Sequence, residues 1–218
     1  MNRNLERARE LLPAIVLTVL SMIQALALEL FWSKVTGTEY LWQLGWDAII
    51  GWLQLLVMLI GILLIWIIYV SFVLRFSWLP SIEDTVIPFF IGLLEFGMID
   101  LMHSGSLGLW FILLAAGFGI ATASSQSTLR RARQDPENAY FFRNMGPSSW
   151  RDYRLSITIC VAFVAFGVAL WAFSEPAVLA LAALLLALAA LTLQFFRAKH
   201  YWMHSLNYEE PGADEERT

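Results

Sequence analysis

Polar and apolar positions along the chain separate into long blocks rather than alternating. Six apolar runs stand out, at residues 11–31, 49–74, 86–102, 107–123, 155–173 and 176–196. A helix that crosses a bilayer needs roughly 20 mostly apolar residues, because the hydrocarbon core is about 30 Å thick. Each run therefore predicts one transmembrane helix, with the third and fourth at the short end of the range. Strands of a membrane barrel would alternate in polarity over runs of about 10 residues, and these runs are too long and too uniform for that. The pattern predicts an all-α integral membrane protein, a bundle of six transmembrane helices.

Composition agrees. Of 218 residues, 59% are hydrophobic and only 15% charged, against about 45–50% apolar in a soluble domain. The mean hydropathy is +0.64. The first run is too long for the core of a cleavable leader and no small-residue cleavage site follows it, so it is expected to remain as a span. One cysteine, Cys160, falls inside the fifth run. It allows no intrachain disulfide and says nothing about compartment.

Basic residues orient the spans, since short cytoplasmic segments collect Lys and Arg. With the N-terminus inside, thirteen of the 14 basic residues fall on inner segments and only Lys34 on an outer one. That bias predicts N- and C-termini that are both cytoplasmic, and the compactness of the chain suggests a bacterial inner membrane. The division is then a cytoplasmic N-terminus (1–10), four spans (11–123), a basic cytoplasmic loop (124–154), two further spans (155–196) and a cytoplasmic tail (197–218). The tail ends in the acidic "EEPGADEERT", which composition predicts to be disordered.

The loop carries Arg130, Arg131, Arg133, Arg143, Arg151 and Arg154 against three acids. Such a surface is expected to lie on anionic headgroups, which makes the lipid bilayer the expected partner. Ser148 or Ser149 in "PSSW" reads as a helix cap. Trp32, Trp42, Trp46, Trp110 and Trp171 are expected at the outer interface, and Trp78, Trp150, Tyr201 and Trp202 at the inner one. Pro13, Pro88 and Pro176 read as first-turn prolines. In the fourth span, Ala115 with Gly119 and Gly117 with Ala121 have the spacing that lets helix backbones approach. A homo-oligomer is compatible with it.

Candidate chemistry sits where an apolar run is interrupted. "GLLEFGMIDLMHSG" brings Glu95, Asp100 and His103 into the third span. An ionised carboxylate in hydrocarbon is costly and is expected to face the bundle interior, a wet cavity or a partner. Glu95 is the deepest acid. Asp100 and His103 are three residues apart and could pair on one face. Glu95 and Asp100 are about 140° apart around a helix and cannot share one. Gln24, Glu29 and Gln54, all in the outer halves of the first two spans, are the groups that could complete a site around Glu95.

These residues suggest a cation pathway, for protons or metal ions, through a channel or transporter. The alternatives are a non-enzymatic subunit or scaffold and, less well supported, a membrane enzyme acting on a lipid or quinone. "HYWMH" sets His200 and His204 one turn apart, but no third metal ligand accompanies them. "HSGSLG" puts serines beside a histidine without an oxyanion arrangement. There is no phosphate loop, dinucleotide fingerprint or zinc spacing, and no nucleic-acid partner is expected.

Overall fold

The six apolar runs form six long helices in the computed structural model, which describes residues 3–76, 81–103, 105–142 and 150–206. They are α1 (Arg3–Gly37), α2 (Trp46–Arg75), α3 (Ile82–Asp100), α4 (Leu107–Gln134), α6 (Trp150–Ala172) and α7 (Ala177–Leu206). A one-turn helix α5 (Ala139–Phe142) follows α4, and two short 3-10 turns lie at Glu39–Trp42 and Pro136–Asn138. Ser148 and Ser149, Trp78, Arg143 and the acidic end of the tail lie outside the described residues. So do the side chains of Trp150, Arg151, His200, Tyr201, Trp202 and His204.

Each long helix overruns its apolar run, because helix propensity does not stop where hydropathy does. The first helix begins eight residues before its run and α3 four before. Pro13 and Pro88 therefore lie inside helices rather than in first turns, and each removes a backbone donor from its helix. Pro176 stands immediately before α7. At the far end of α4 the chain stays helical through "TASSQSTLRRARQ" to Gln134, so the first part of the expected basic loop is an extension of that helix.

Five helices, all but α3, are long and apolar enough to cross a membrane, the signature of an integral membrane protein. The exception has a plain cause: Glu83, Asp84, Glu95 and Asp100 fall within its 19 residues.

The helices close into a ring, in the order α1, α3, α4, α6, α7, α2 and back to α1. Sequence neighbours α6 and α7 touch less than any other adjacent pair in it, and α2 also reaches α3 and α4 across the middle. Side-chain contacts give the directions. Trp66 of α2 donates to Ser21 Oγ of α1, so this pair is antiparallel, whereas Gln24 meets Glu95 and Lys34 meets Asp100 along parallel α1 and α3.

One end of the bundle, here the junction end, gathers the α1–α2, α3–α4 and α6–α7 connections. Tyr40 donates to the carbonyl of Met102 at 3.0 Å, and Glu175 accepts from the amides of Gly105 and Gly108 at 2.7 and 3.0 Å. Glu175 thus caps the start of α4 from a tight turn in which it and Ser174 both have positive φ. The opposite end carries the arginines of α2 and α4.

Four of the five tryptophans expected at one interface, Trp32, Trp42, Trp46 and Trp171, are exposed at the junction end. Trp110 is not: it is wholly buried. Small residues do bring helices together, and α4 and α6 meet backbone to backbone where they cross at Gly108 and Gly167. The expected Ala115 and Gly119 positions lie lower on the same seam, against Cys160.

Candidate functional site

The third helix is polar on the inside and apolar on the outside. Asp84, Pro88, Ile91, Glu95 and Met98 are buried, while Val86, Phe89, Phe90 and Leu93 are exposed. Asp84 and Glu95 are eleven residues apart, about three turns, so one face carries both.

Glu95 is 3% exposed and Gln24 of α1 is 4% exposed. The Gln24 amide Nε2 donates to both carboxyl oxygens, at 3.2 and 3.0 Å. What makes this reach possible is one turn away, where Gly92 leaves no room for a Cβ against Ile23. Lacking a side chain there, α3 comes close enough to α1 for a glutamine to span the gap. The Gln24 Oε1 has no protein partner among the described residues. The pair therefore offers two carboxyl oxygens and one further amide oxygen in an otherwise apolar packing layer.

The other candidates are placed apart from it. Glu29 is exposed on the outside of α1. Asp100 and His103 are both exposed and do not pair among the described residues; α3 ends at Asp100, so the helical spacing that would join them is not maintained. Gln54 is fully buried, but neither of its amide atoms meets Glu95, Gln24 or any other described residue. Of the three groups that could complete a site around Glu95, Gln24 alone does so.

A second polar contact lies at the arginine end. Asp84, 2% exposed, meets Arg131 of the α4 extension at 2.5 Å, and Arg131 is itself only 28% exposed. Asp84 also accepts from the Ser81 amide at 2.8 Å, as a cap of its own helix. Arg131 donates onward to Ser127 at 3.0 Å. Beside them the Phe76 and Phe142 rings stack with centroids 5.4 Å apart, and Arg133 covers Phe142 at 5.0 Å. Thus Arg131 and Arg133 are engaged within the protein, and Arg130 and Arg154 remain exposed.

Sequence reasoning missed Asp84; its eleven-residue spacing from Glu95, which sets both on one face of a helix starting at Ile82, is the signal that could have found it. No group of three or more His, Cys, Asp or Glu side chains among the described residues is arranged to hold a metal ion.

The fold and its buried polar pair define a helical, membrane-type protein with an acid at the heart of its bundle. Comparison with protein-family models, with characterised proteins and with solved structures returns no match for the chain.

Proposed function

We propose that the chain is a six-span cation channel or transporter with Glu95 as its central group, both termini in the cytoplasm, in a bacterial inner membrane. The observation that carries this is the buried Glu95–Gln24 pair on a helix whose outer face is apolar. A helix with Phe89, Phe90 and Leu93 exposed suits contact with lipid, and its acids are turned inward. That supports α3 as a sixth span in spite of its four acids. The arginine end supports the cytoplasmic assignment through the basic bias of inner segments.

Among cations, the proton suits the geometry best. Calcium takes 6–8 oxygen ligands and magnesium an octahedral shell, whereas the pair supplies one carboxyl and one amide. A carboxyl in a dry layer that gains and loses a proton, with an amide to hold either form, is the element of a proton relay.

A subunit or scaffold role is favoured by one observation: the same hydrogen bonds tie α1 to α3 and serve as glue between helices. Ion flux separates the two. The purified protein is reconstituted in liposomes, H⁺, Na⁺ and K⁺ gradients are imposed in turn, and Glu95→Gln is run beside it. Conduction by the parent that vanishes in the folded variant supports the transport role. A parent that moves none of the three ions, or a variant that conducts as well as the parent, overturns it and leaves Glu95 as helix glue.

A further inference from the structure

Among the buried polar side chains that the Glu95 pair does not use are Gln54 and Trp110. Gln54 of α2 and Trp110 of α4 are both 0% exposed. The Nε2 and Oε1 of Gln54 and the indole Nε1 of Trp110 have no hydrogen-bond partner among the described residues. A buried amide without a partner is strongly disfavoured, and such groups in proteins are characteristically satisfied by internal water.

The two lie at the same depth. Tyr40 bridges α2 and the end of α3: its ring packs where a Cβ on Gly51 would stand, and its hydroxyl bonds to the carbonyl of Met102. Ser106, at the start of α4, donates to Leu101 beside it. From this level Gln54 is three residues further in, about 4.5 Å, and Trp110 four residues, about 6 Å, at a rise of 1.5 Å per residue. Glu95 is seven residues before Met102, about 10 Å in. A polar layer therefore sits between the junction end and Glu95, roughly one helical turn from the acid. Helices α2 and α4, which carry it, meet across the middle of the ring.

We infer that Gln54 and Trp110 form a water-binding site in the bundle core, on the approach from the junction end to Glu95. The chemistry matches water and little else so small: the amide requires both a donor and an acceptor, the indole an acceptor, and water is both. The buried residues at this level of the chain, Leu55, Met102, Leu107 and Phe111, are apolar, and the Phe111 ring packs against Trp110. The water site stands on these groups; its role as the access route rests on the transport function proposed for Glu95. Protons would then reach Glu95 from the junction end through hydrogen-bonded water, and Gln54 would orient that water.

The test is radiolytic hydroxyl labelling of the full chain in lipid nanodiscs, read by mass spectrometry. Radicals made from a bound water react with side chains touching it, whereas bulk radicals do not reach buried ones. Met58, one turn from Gln54 and buried, and Trp110 are the reporters, with exposed Trp42 and Trp46 as controls. The site is expected to give labelled Met58 and Trp110 in the parent and to lose most of that labelling in Gln54→Leu.

Unlabelled reporters beside labelled controls overturn it, with no variant required. So does a Gln54→Leu protein that keeps the labelling and melts above the parent, the behaviour of an amide that binds nothing. Proton flux is measured on the same preparations. Labelling in a parent that conducts nothing supports the water site and sinks transport. Flux in a parent whose reporters stay unlabelled does the reverse. Reduced proton flux in a folded Gln54→Leu supports the access route.

Discussion

The α4–α6 crossing permits a sharp test of the packing, because each helix presents a glycine to the other's backbone. A Cβ on Gly167 would stand 2.8 Å from the Gly108 carbonyl oxygen and 2.9 Å from Ile112 Cδ1. A side chain can turn aside, but a helical carbonyl cannot. Ordinary contact begins near 3.4 Å, so Gly167→Ala must part the two helices by about 0.6 Å, and a gap of 0.5–1 Å forfeits a quarter to a half of each dispersion well facing it. That seam includes the Phe111–Phe163 and Phe118–Phe163 ring contacts, at 6.2 and 5.9 Å.

Overpacking of this kind costs about 1–3 kcal/mol. Alanine returns about 1 kcal/mol in helix propensity, and the steric loss is the larger, leaving a net destabilisation of up to about 2 kcal/mol. Gly61 of α2 is the control, since a Cβ there meets nothing within 4 Å. Gly61→Ala carries the propensity gain alone and is expected to be stabilising by up to about 1 kcal/mol. Unfolding of both variants in mixed micelles of rising SDS fraction, followed by far-UV circular dichroism, measures the difference. A Gly167→Ala protein that unfolds at or beyond the midpoint of Gly61→Ala would refute the crossing. The double variant Gly108→Ala with Gly167→Ala is expected to cost less than the two singles together, because helices already parted by one methyl accept the second.

Asp84→Asn removes the charge that holds Arg131 and is expected to cost about 1–3 kcal/mol, below the range for a fully buried pair because Arg131 is partly hydrated. A double-mutant cycle with Arg131→Gln in the same micelle assay checks this, and additive single effects would show that the two side chains do not interact. Tyr40, in the short turn between α1 and α2, has its phenol pKa raised, first by burial and then by the negative charge of Asp47. The folded state thus favours the neutral form that donates to Met102. Its contribution to stability is full below the unfolded phenol value near 10 and is lost as pH rises through the higher folded value. Tyr40→Phe should lower stability by about 1 kcal/mol at neutral pH and remove part of the alkaline loss. An unchanged alkaline profile would show that another group controls it.

Block hydropathy was enough to place all six long helices, because apolar length is a property of the chain itself. It was a poor guide to their ends. Arg3 to Glu10, Ile82 to Thr85 and Ser124 to Gln134 lie outside the apolar runs yet are helical, and the first two extensions moved Pro13 and Pro88 into helix interiors. Glu95 was recognisable as the acid in an apolar run, and Gln24 was one of three side chains able to reach it. The choice among the three depended on the close approach at Gly92, a three-dimensional fact. Trp110 was expected at the interface because indole favours that depth, but which face of α4 it occupies is decided by the ring of helices. The Asp84–Arg131 contact joins positions 47 residues apart, and no local pattern foretells which of six arginines an acid will find.

The parallel pairing of α1 and α3 bears on how the chain is made. Residue 24 emerges from the ribosome well before residue 95, and the Ser21–Trp66 contact lets α1 and α2 associate as a hairpin first. In the six-span arrangement, the helix that carries Asp84 and Glu95 is then the next to be delivered. It cannot enter lipid cheaply by itself, since Asp84 and Glu95 each need a polar neighbour. Gln24 is already in the membrane and supplies one for Glu95; Arg131, for Asp84, arrives only with the following helix. In that arrangement insertion of α3 is coupled to what precedes and follows it. Substitution of Gln24 by an apolar residue should show first in the biosynthetic yield of correctly threaded protein, ahead of any change in what the finished bundle does.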